Sequence, residues 1–195
     1  MLKLVLIVFI FLSSNLNYLY AETNSQPGSG VVNRNEIGGK NLAVLSYYQE
    51  SHAPVAADGS FQVNISTQQA HVLILQEGNQ QVRALTIVLP QYPNKIIFDA
   101  ESTAKATLFQ SYGIVATNPQ GAEIRIREVE QYRCYPKLVS YYRKYLKDYS
   151  LNEIQSNDIL LKPDANLSPR EREFKGILNQ FIEDTGDMYK KMKVP

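Results

Sequence analysis

The sequence contains a single cysteine, two histidines and no tryptophan. With Cys134 alone, no disulfide can form within the chain, so stability has to come from the packed core or from assembly. His52 and His71 are 19 residues apart, and neither C-x-x-C nor H-E-x-x-H occurs, so the usual spacings of zinc ligands are missing. We therefore expect no metal and no other cofactor. For Cys134 the sequence favours a buried thiol, with an intermolecular disulfide as the alternative.

An excess of charge of one sign is also missing. The chain carries 20 basic and 19 acidic residues, and removal of the first 21 residues takes away Lys3 and no acid. A dedicated nucleic-acid-binding protein needs surplus positive charge to displace counterions from phosphates. The composition therefore excludes nucleic acid as the expected partner.

No apolar run is long enough to span a bilayer, which takes about 20 residues. The apolar run Leu4–Leu12 follows Lys3 and is followed by a polar stretch that ends in the small residue Ala21. This order of segments predicts a signal peptide over residues 1–21, with an uncleaved N-terminal anchor as the alternative. We expect a secreted, periplasmic or cell-surface protein without a transmembrane helix once the signal peptide is removed.

The next segments predict a flexible leader and then a β domain. Residues 22–40 are polar and rich in Gly, Asn and Ser, which predicts a leader that does not fold by itself. Phe61, Val63 and Ile65 alternate with polar residues, the pattern of a half-buried strand. Apolar runs at 70–76 and 82–89 flank turn residues and predict a hairpin. Residues 41–98 are therefore predicted to form a small antiparallel β sandwich.

After Phe98 the periodicity becomes helical, over residues 99–186. Helices are predicted at 99–112, 119–134, 136–149 and 168–186, with a strand at 122–126 as the alternative inside the second. Ser168 and Glu171 have the spacing of a capping box, and Gly186 is predicted to end the last helix. Residues 187–195 are left as a tail. The predicted fold class is α+β, an N-terminal antiparallel β sandwich followed by three or four α-helices.

One short motif suggests catalysis. Ser102 and Lys105 read S-x-x-K near the start of a predicted helix, the spacing that serine β-lactamases and penicillin-binding proteins use for nucleophile and lysine. No S-D-N follows and no K-T-G occurs. The alternative is that Ser102 is a first-turn helix residue and Lys105 is a solvated charge.

The helix predicted at 136–149 is rich in tyrosine and basic residues. Its inward stripe is predicted to consist of Leu138, Tyr142, Tyr145 and Tyr149. Tyr141 is then expected to be the most exposed tyrosine. With Lys137 and Lys144, which lie four and three residues away, it forms the candidate contact face of the protein.

Three short segments carry a resemblance. They are Asp58-Gly59-Ser60-Phe61, Phe98–Ala104 with its Glu-Ser-Thr-Ala, and Tyr135-Pro136-Lys137-Leu138. Over about residues 41–150 the chain resembles a loosely defined set of exported bacterial proteins. In these proteins a small domain similar to the carboxypeptidase regulatory, transthyretin-like module leads into a helix. The resemblance implies a bacterial envelope or surface protein that is not an enzyme, and it places Ser102 between strand and helix.

Together these observations predict an exported, non-enzymatic binding or structural module of the cell envelope, with an unidentified envelope or surface partner. The alternative is a serine hydrolase of penicillin-binding type that uses Ser102 and Lys105.

Overall fold

The computed structural model describes residues 25–46, 52–66, 70–78, 81–89, 96–111, 119–154 and 159–192. The predicted signal peptide lies outside these residues. The strands are β1 Ser25–Val32, β2 Leu42–Ser46, β3 His52–Pro54, β4 Ser60–Ser66, β5 His71–Glu77, β6 Gln81–Val88 and β7 Ile96–Phe98. The α-helices are α1 Ala100–Ser111, α2 Pro119–Glu130, α3 Tyr135–Tyr145, α4 Leu151–Ile154 and α5 Pro169–Met192. Strands come first and helices second, so the predicted α+β class is confirmed.

The strands form two sheets, in the orders β4-β1-β7 and β3-β2-β5-β6. The pairs are antiparallel except β1 with β7, which run parallel with Val31 opposite Ile97. The expectation of a purely antiparallel arrangement is therefore wrong at this pair. The strands β2 to β6 lie between β1 and β7 in the chain, which provides the long crossover connection that a parallel pair requires. Phe61 and Ile65 of one sheet share a single hydrophobic core with Leu73 and Leu75 of the other.

The expectation of a flexible leader over residues 22–40 is wrong for residues 25–32, because Ser25–Val32 is the central strand of the three-stranded sheet. Its composition does not bury much apolar surface by itself, but two neighbouring strands pair with its backbone on both sides. Gly30 suits this position because its neighbours come very close. A Cβ added there would lie 2.6 Å from the carbonyl oxygen of Ile96 and would also collide with the ring of Phe61. The polar, glycine-rich composition therefore marks a close approach of three strands.

The predicted hairpin is confirmed by β5 and β6, which pair antiparallel with a bulge between Leu75 and Gln76. β6 is buried along most of its length instead of alternating, because α1 and α4 pack against it. By contrast β4 alternates, with Phe61, Val63 and Ile65 buried and the residues between them exposed.

The capping box at the start of α5 is confirmed. The Ser168 backbone N–H donates to Oε2 of Glu171 at 2.8 Å, and the Glu171 N–H donates to Oγ of Ser168 at 3.3 Å. The predicted end at Gly186 is wrong, since α5 runs on to Met192 through part of the predicted tail. Gly186 does not take the positive φ that ends a helix, and a glycine inside a helix costs only about 1 kcal/mol.

Candidate functional site

The predicted contact face on α3 does not assemble, because Tyr141 is fully buried. Its ring centroid lies 5.1 Å from that of Phe174, in a stacked arrangement, and 4.8 Å from that of Tyr145. Burial of the hydroxyl raises the pKa of Tyr141 well above its ordinary value. The expectation that Tyr141 is the most exposed tyrosine of this helix is therefore wrong.

Tyr141 is buried because α3 packs against two helices, α1 and α5. Tyr142 faces α1, where its hydroxyl lies 3.2 Å from Oγ1 of Thr107. Tyr141 faces Phe174 of α5. The two contacts together bury a wider stripe than one packing partner would. Tyr149, predicted to face inward, is 40% exposed, and the guanidinium of Arg170 lies 3.8 Å from its ring centroid.

The two lysines of the predicted face are exposed, but no exposed tyrosine lies between them. Nζ of Lys144 is 3.0 Å from Oε2 of Glu173 and 4.8 Å from the ring centroid of Tyr145. Lys137 makes no ion pair with any described residue. One lysine that is paired with an acid and one that is solvated are what an ordinary exposed helix face carries.

Ser102 closes a hydrogen-bonded cap at the start of α1. Its backbone N–H donates to Oδ1 of Asp99 at 2.7 Å, and its hydroxyl oxygen accepts from the Asp99 N–H at 2.9 Å. The hydroxyl in turn donates to the Asp99 carbonyl at 3.0 Å. Each hydrogen bond of the hydroxyl is made with Asp99, and none brings a base to it, so the geometry is that of a helix cap.

Lys105 is held by acids. Its Nζ lies 2.7 Å from Oε1 of Glu130 and 3.4 Å from Oε1 of Glu101. Burial alone would lower the pKa of Lys105, but the hydrogen bonds and charges of Glu130 and Glu101 outweigh it and the pKa is raised. A lysine that activates a serine has to be neutral to accept its proton. Lys105 stays protonated and is therefore unsuited to that role.

Ser102 and Lys105 nevertheless line a cleft, of about 400 Å³, between the two sheets and the helices. β6 and β7 lie at the edges of their sheets among the described strands, and the cleft opens between them beside α1. Its lining residues are Thr86, Ile87, Val88, Leu89, Ile96, Ile97, Asp99, Glu101, Ser102, Lys105 and Ile126. We call this the β6–β7 cleft.

The walls of the β6–β7 cleft differ in character. Among the described residues, β6, β7 and α2 contribute aliphatic side chains apart from Thr86, whereas α1 and the residue before it contribute the charged groups. Ile87, Leu89 and Ile126 are held from behind by a small core of Ala70 and Phe109. The cleft therefore has a supported apolar wall and a separate charged one.

Sequence reasoning missed this cleft. It found Ser102 and Lys105 through their spacing, but nothing in the pattern linked them to Ile96 or Ile126. The cleft forms from four elements, and no local signal marks a space between elements. The apolar residues of β6 and β7 could at most have suggested walls.

Cys134 lies in a second polar cluster, at the start of α3. Asp184 of α5 is buried; its Oδ2 accepts from the Cys134 backbone N–H at 3.0 Å, and its Oδ1 accepts from Nε of Arg133 at 2.7 Å. Burial, together with the charge of Asp184, raises the pKa of the Cys134 thiol to about 12. A thiol that is buried and protonated is a poor nucleophile and a poor partner for an intermolecular disulfide.

Within the described ranges, no group of three or more His, Cys, Asp or Glu residues could hold a metal ion. No helix in that part of the chain combines the length and apolar character needed to cross a membrane. Comparisons with family models, with curated proteins and with solved structures found no match.

Proposed function

We propose that the protein is an exported, non-enzymatic binding module of the cell envelope, in which a small β sandwich and the helices after it enclose the ligand site. The observation that carries the proposal is the β6–β7 cleft, which is lined by aliphatic side chains and by a few charged groups. Its volume of about 400 Å³ is within the range of small-molecule sites, which are mostly apolar with a few polar groups that orient the ligand. The signal peptide predicted over residues 1–21 supports the proposed location.

The position of the β6–β7 cleft also supports binding. Side chains of Ile87, Ile97 and Ile126 are only partly buried and stay accessible, while Val88 and Ile96 belong to the buried core. Accessible aliphatic groups fixed to a packed core form a preformed apolar surface, and a ligand gains free energy by covering it.

The first test is titration with 1-octanol, a neutral aliphatic probe, followed by amide NMR shifts. We expect saturable binding with shifts at β6, β7 and the start of α1. Ile126→Gln should weaken this binding by about tenfold, because it places an amide in the apolar wall. Ile124→Gln is the matched control, since Ile124 lies on the same helix, is 59% exposed and does not line the cleft. Equal affinities for the two variants would contradict the site.

A serine hydrolase is the competing function, supported by the spacing of Ser102 and Lys105 and by their shared place in the β6–β7 cleft. Against it stand the engaged hydroxyl of Ser102 and the protonated Lys105. We infer that the cleft binds without covalent chemistry.

One mass measurement tests both export and chemistry. The full chain, with its predicted signal peptide, is expressed in a bacterium and should be recovered outside the cytoplasm. After treatment with a fluorophosphonate, its intact mass should match a chain that begins near Glu22 and carries no added phosphonyl group. Ser102→Ala should lower stability by about 1 kcal/mol through loss of the hydroxyl's hydrogen bonds to Asp99 and should leave the mass pattern unchanged. A phosphonyl adduct that disappears in Ser102→Ala would favour the hydrolase, and retention of residues 1–21 would favour an anchor.

A further inference from the structure

The geometry of the β6–β7 cleft points to a ligand with an aliphatic body and a single positively charged end, an alkylammonium group. This inference rests on the proposed function and adds the charge of the ligand to it. Three observations support it: the aliphatic wall, the surplus of negative charge on the α1 wall, and the carboxylates that already hold two N–H groups at the start of α1.

The aliphatic wall sets the body of the ligand. No aromatic ring lines the β6–β7 cleft among the described residues, so stacking on a flat ring is not available to a ligand. The side chains of Ile97 and Ile126 are branched and aliphatic, and they match a flexible aliphatic chain. Burial of such a chain against these side chains is favoured by the hydrophobic effect and increases with each methylene group.

The charged wall has more carboxylates than cations. Asp99, Glu101 and Lys105 line the cleft, and the ammonium of Lys105 is shared between Glu101 and Glu130. Oε1 of Glu101 pairs with the ammonium of Lys105 and accepts a hydrogen bond from the hydroxyl of Tyr135. Its Oε2 accepts no hydrogen bond from the described residues. The wall therefore keeps an acceptor and a negative charge for a ligand.

The start of α1 would ordinarily favour an anion, because helix N-termini carry free N–H groups and a partial positive charge. Here two of these N–H groups are already used by the protein. The Ala100 N–H donates to Oε2 of Glu36 at 2.8 Å, and the Ser102 N–H donates to Oδ1 of Asp99 at 2.7 Å. Of these two carboxylates, that of Asp99 lines the cleft and disfavours an anion there, whereas that of Glu36 is paired with Arg143.

The bound ligand would place its ammonium beside Oε2 of Glu101 and its chain against Ile97 and Ile126. Two sources carry this chemistry, a free alkylamine and the side chain of a lysine in a peptide. The cleft opens between two edge strands, which gives an extended peptide room to enter, so both sources are tested directly.

The experiment compares octylammonium, 1-octanol and octanoate by the same NMR titration, at low salt because exposed charges are screened. We expect octylammonium to bind about fivefold tighter than 1-octanol and octanoate to bind more weakly than either, as for one partly exposed charge pair. Glu101→Gln should remove the preference for octylammonium while the affinity for 1-octanol changes by less than about twofold. The glutamine keeps an acceptor for Tyr135, so the fold of the wall is retained.

Glu123→Gln is the matched control. Like Glu101, Glu123 pairs with a basic residue four positions along its helix, Arg127, but it does not line the cleft. It should leave the preference for octylammonium unchanged. A second arm titrates acetyl-Leu-Lys-Leu-amide against acetyl-Leu-Glu-Leu-amide. Tighter binding of the lysine peptide than of octylammonium assigns the ligand to a peptide, and the reverse order assigns it to a free amine.

The outcomes separate the two proposals. Equal binding of octylammonium, 1-octanol and octanoate overturns the charge inference and leaves the binding function standing. A preference for octylammonium that persists in Glu101→Gln also overturns it. Absence of saturable binding by all three probes overturns the binding function itself.

Discussion

Replacement of Tyr141 by alanine is expected to lower the free energy of unfolding by about 3–5 kcal/mol, as for other fully buried aromatic side chains. The ring is completely buried and contacts Tyr142, Tyr145 and Phe174. Truncation would therefore open a cavity where α3 meets α5. Urea denaturation of the purified chain, followed by circular dichroism, measures the change.

Two companion variants separate the ring of Tyr141 from its hydroxyl and from its helix. The Tyr141 hydroxyl is buried without a hydrogen-bond partner among the described residues, so Tyr141→Phe should leave stability unchanged or raise it, because an unpaired buried polar group is costly. Tyr149→Ala is the control, since its ring is 40% exposed and lies just beyond the same helix. We expect it to cost about 1 kcal/mol or less. Equal losses of unfolding free energy for Tyr141→Ala and Tyr149→Ala would contradict the burial of Tyr141 between α3 and α5.

The second large effect is expected at Gly30, in the middle of β1. Gly30→Ala should destabilise the protein by about 3 kcal/mol, the upper part of the range for overpacking. The added methyl would meet the Ile96 carbonyl oxygen at 2.6 Å and the ring of Phe61. A carbonyl of a paired strand cannot move aside without loss of the β1–β7 pairing. Thermal and urea midpoints of the variant measure the loss.

Gly176→Ala is the matched control for Gly30→Ala. Gly176 lies inside α5, and an added Cβ there meets nothing within 4 Å. Alanine should raise stability by about 0.5–1 kcal/mol, because it has the higher helix propensity and restricts the unfolded chain. If Gly30→Ala were as harmless as Gly176→Ala, residues 25–32 would be a loose leader after all and the three-stranded sheet would lose its central strand.

The candidate site could be predicted from the sequence only in part. The spacing of Ser102 and Lys105 selected the charged wall of the β6–β7 cleft, although the chemistry it suggested is not supported by their contacts. The aliphatic wall stayed hidden because Ile126 comes from a helix that follows β6 and β7 in the chain. The predicted contact face on α3 was wrong at Tyr141. Helical periodicity identifies one buried stripe of a helix, and it cannot show that a second helix covers the stripe beside it.

By itself the sequence determined the features whose cause lies within a few residues. These are the order of strands and helices, the alternation in β4, the β5–β6 hairpin and the capping box of Ser168 and Glu171, where propensity and short-range hydrogen bonds decide the conformation. The tertiary structure decided the features whose partners are distant in the chain. Ser25–Val32 becomes a strand because β4 and β7 pair with it, and Tyr141 is buried because Phe174 of α5 stacks on it. Burial and strand pairing depend on contacts between segments that are distant in the chain, and a local sequence pattern does not specify those contacts.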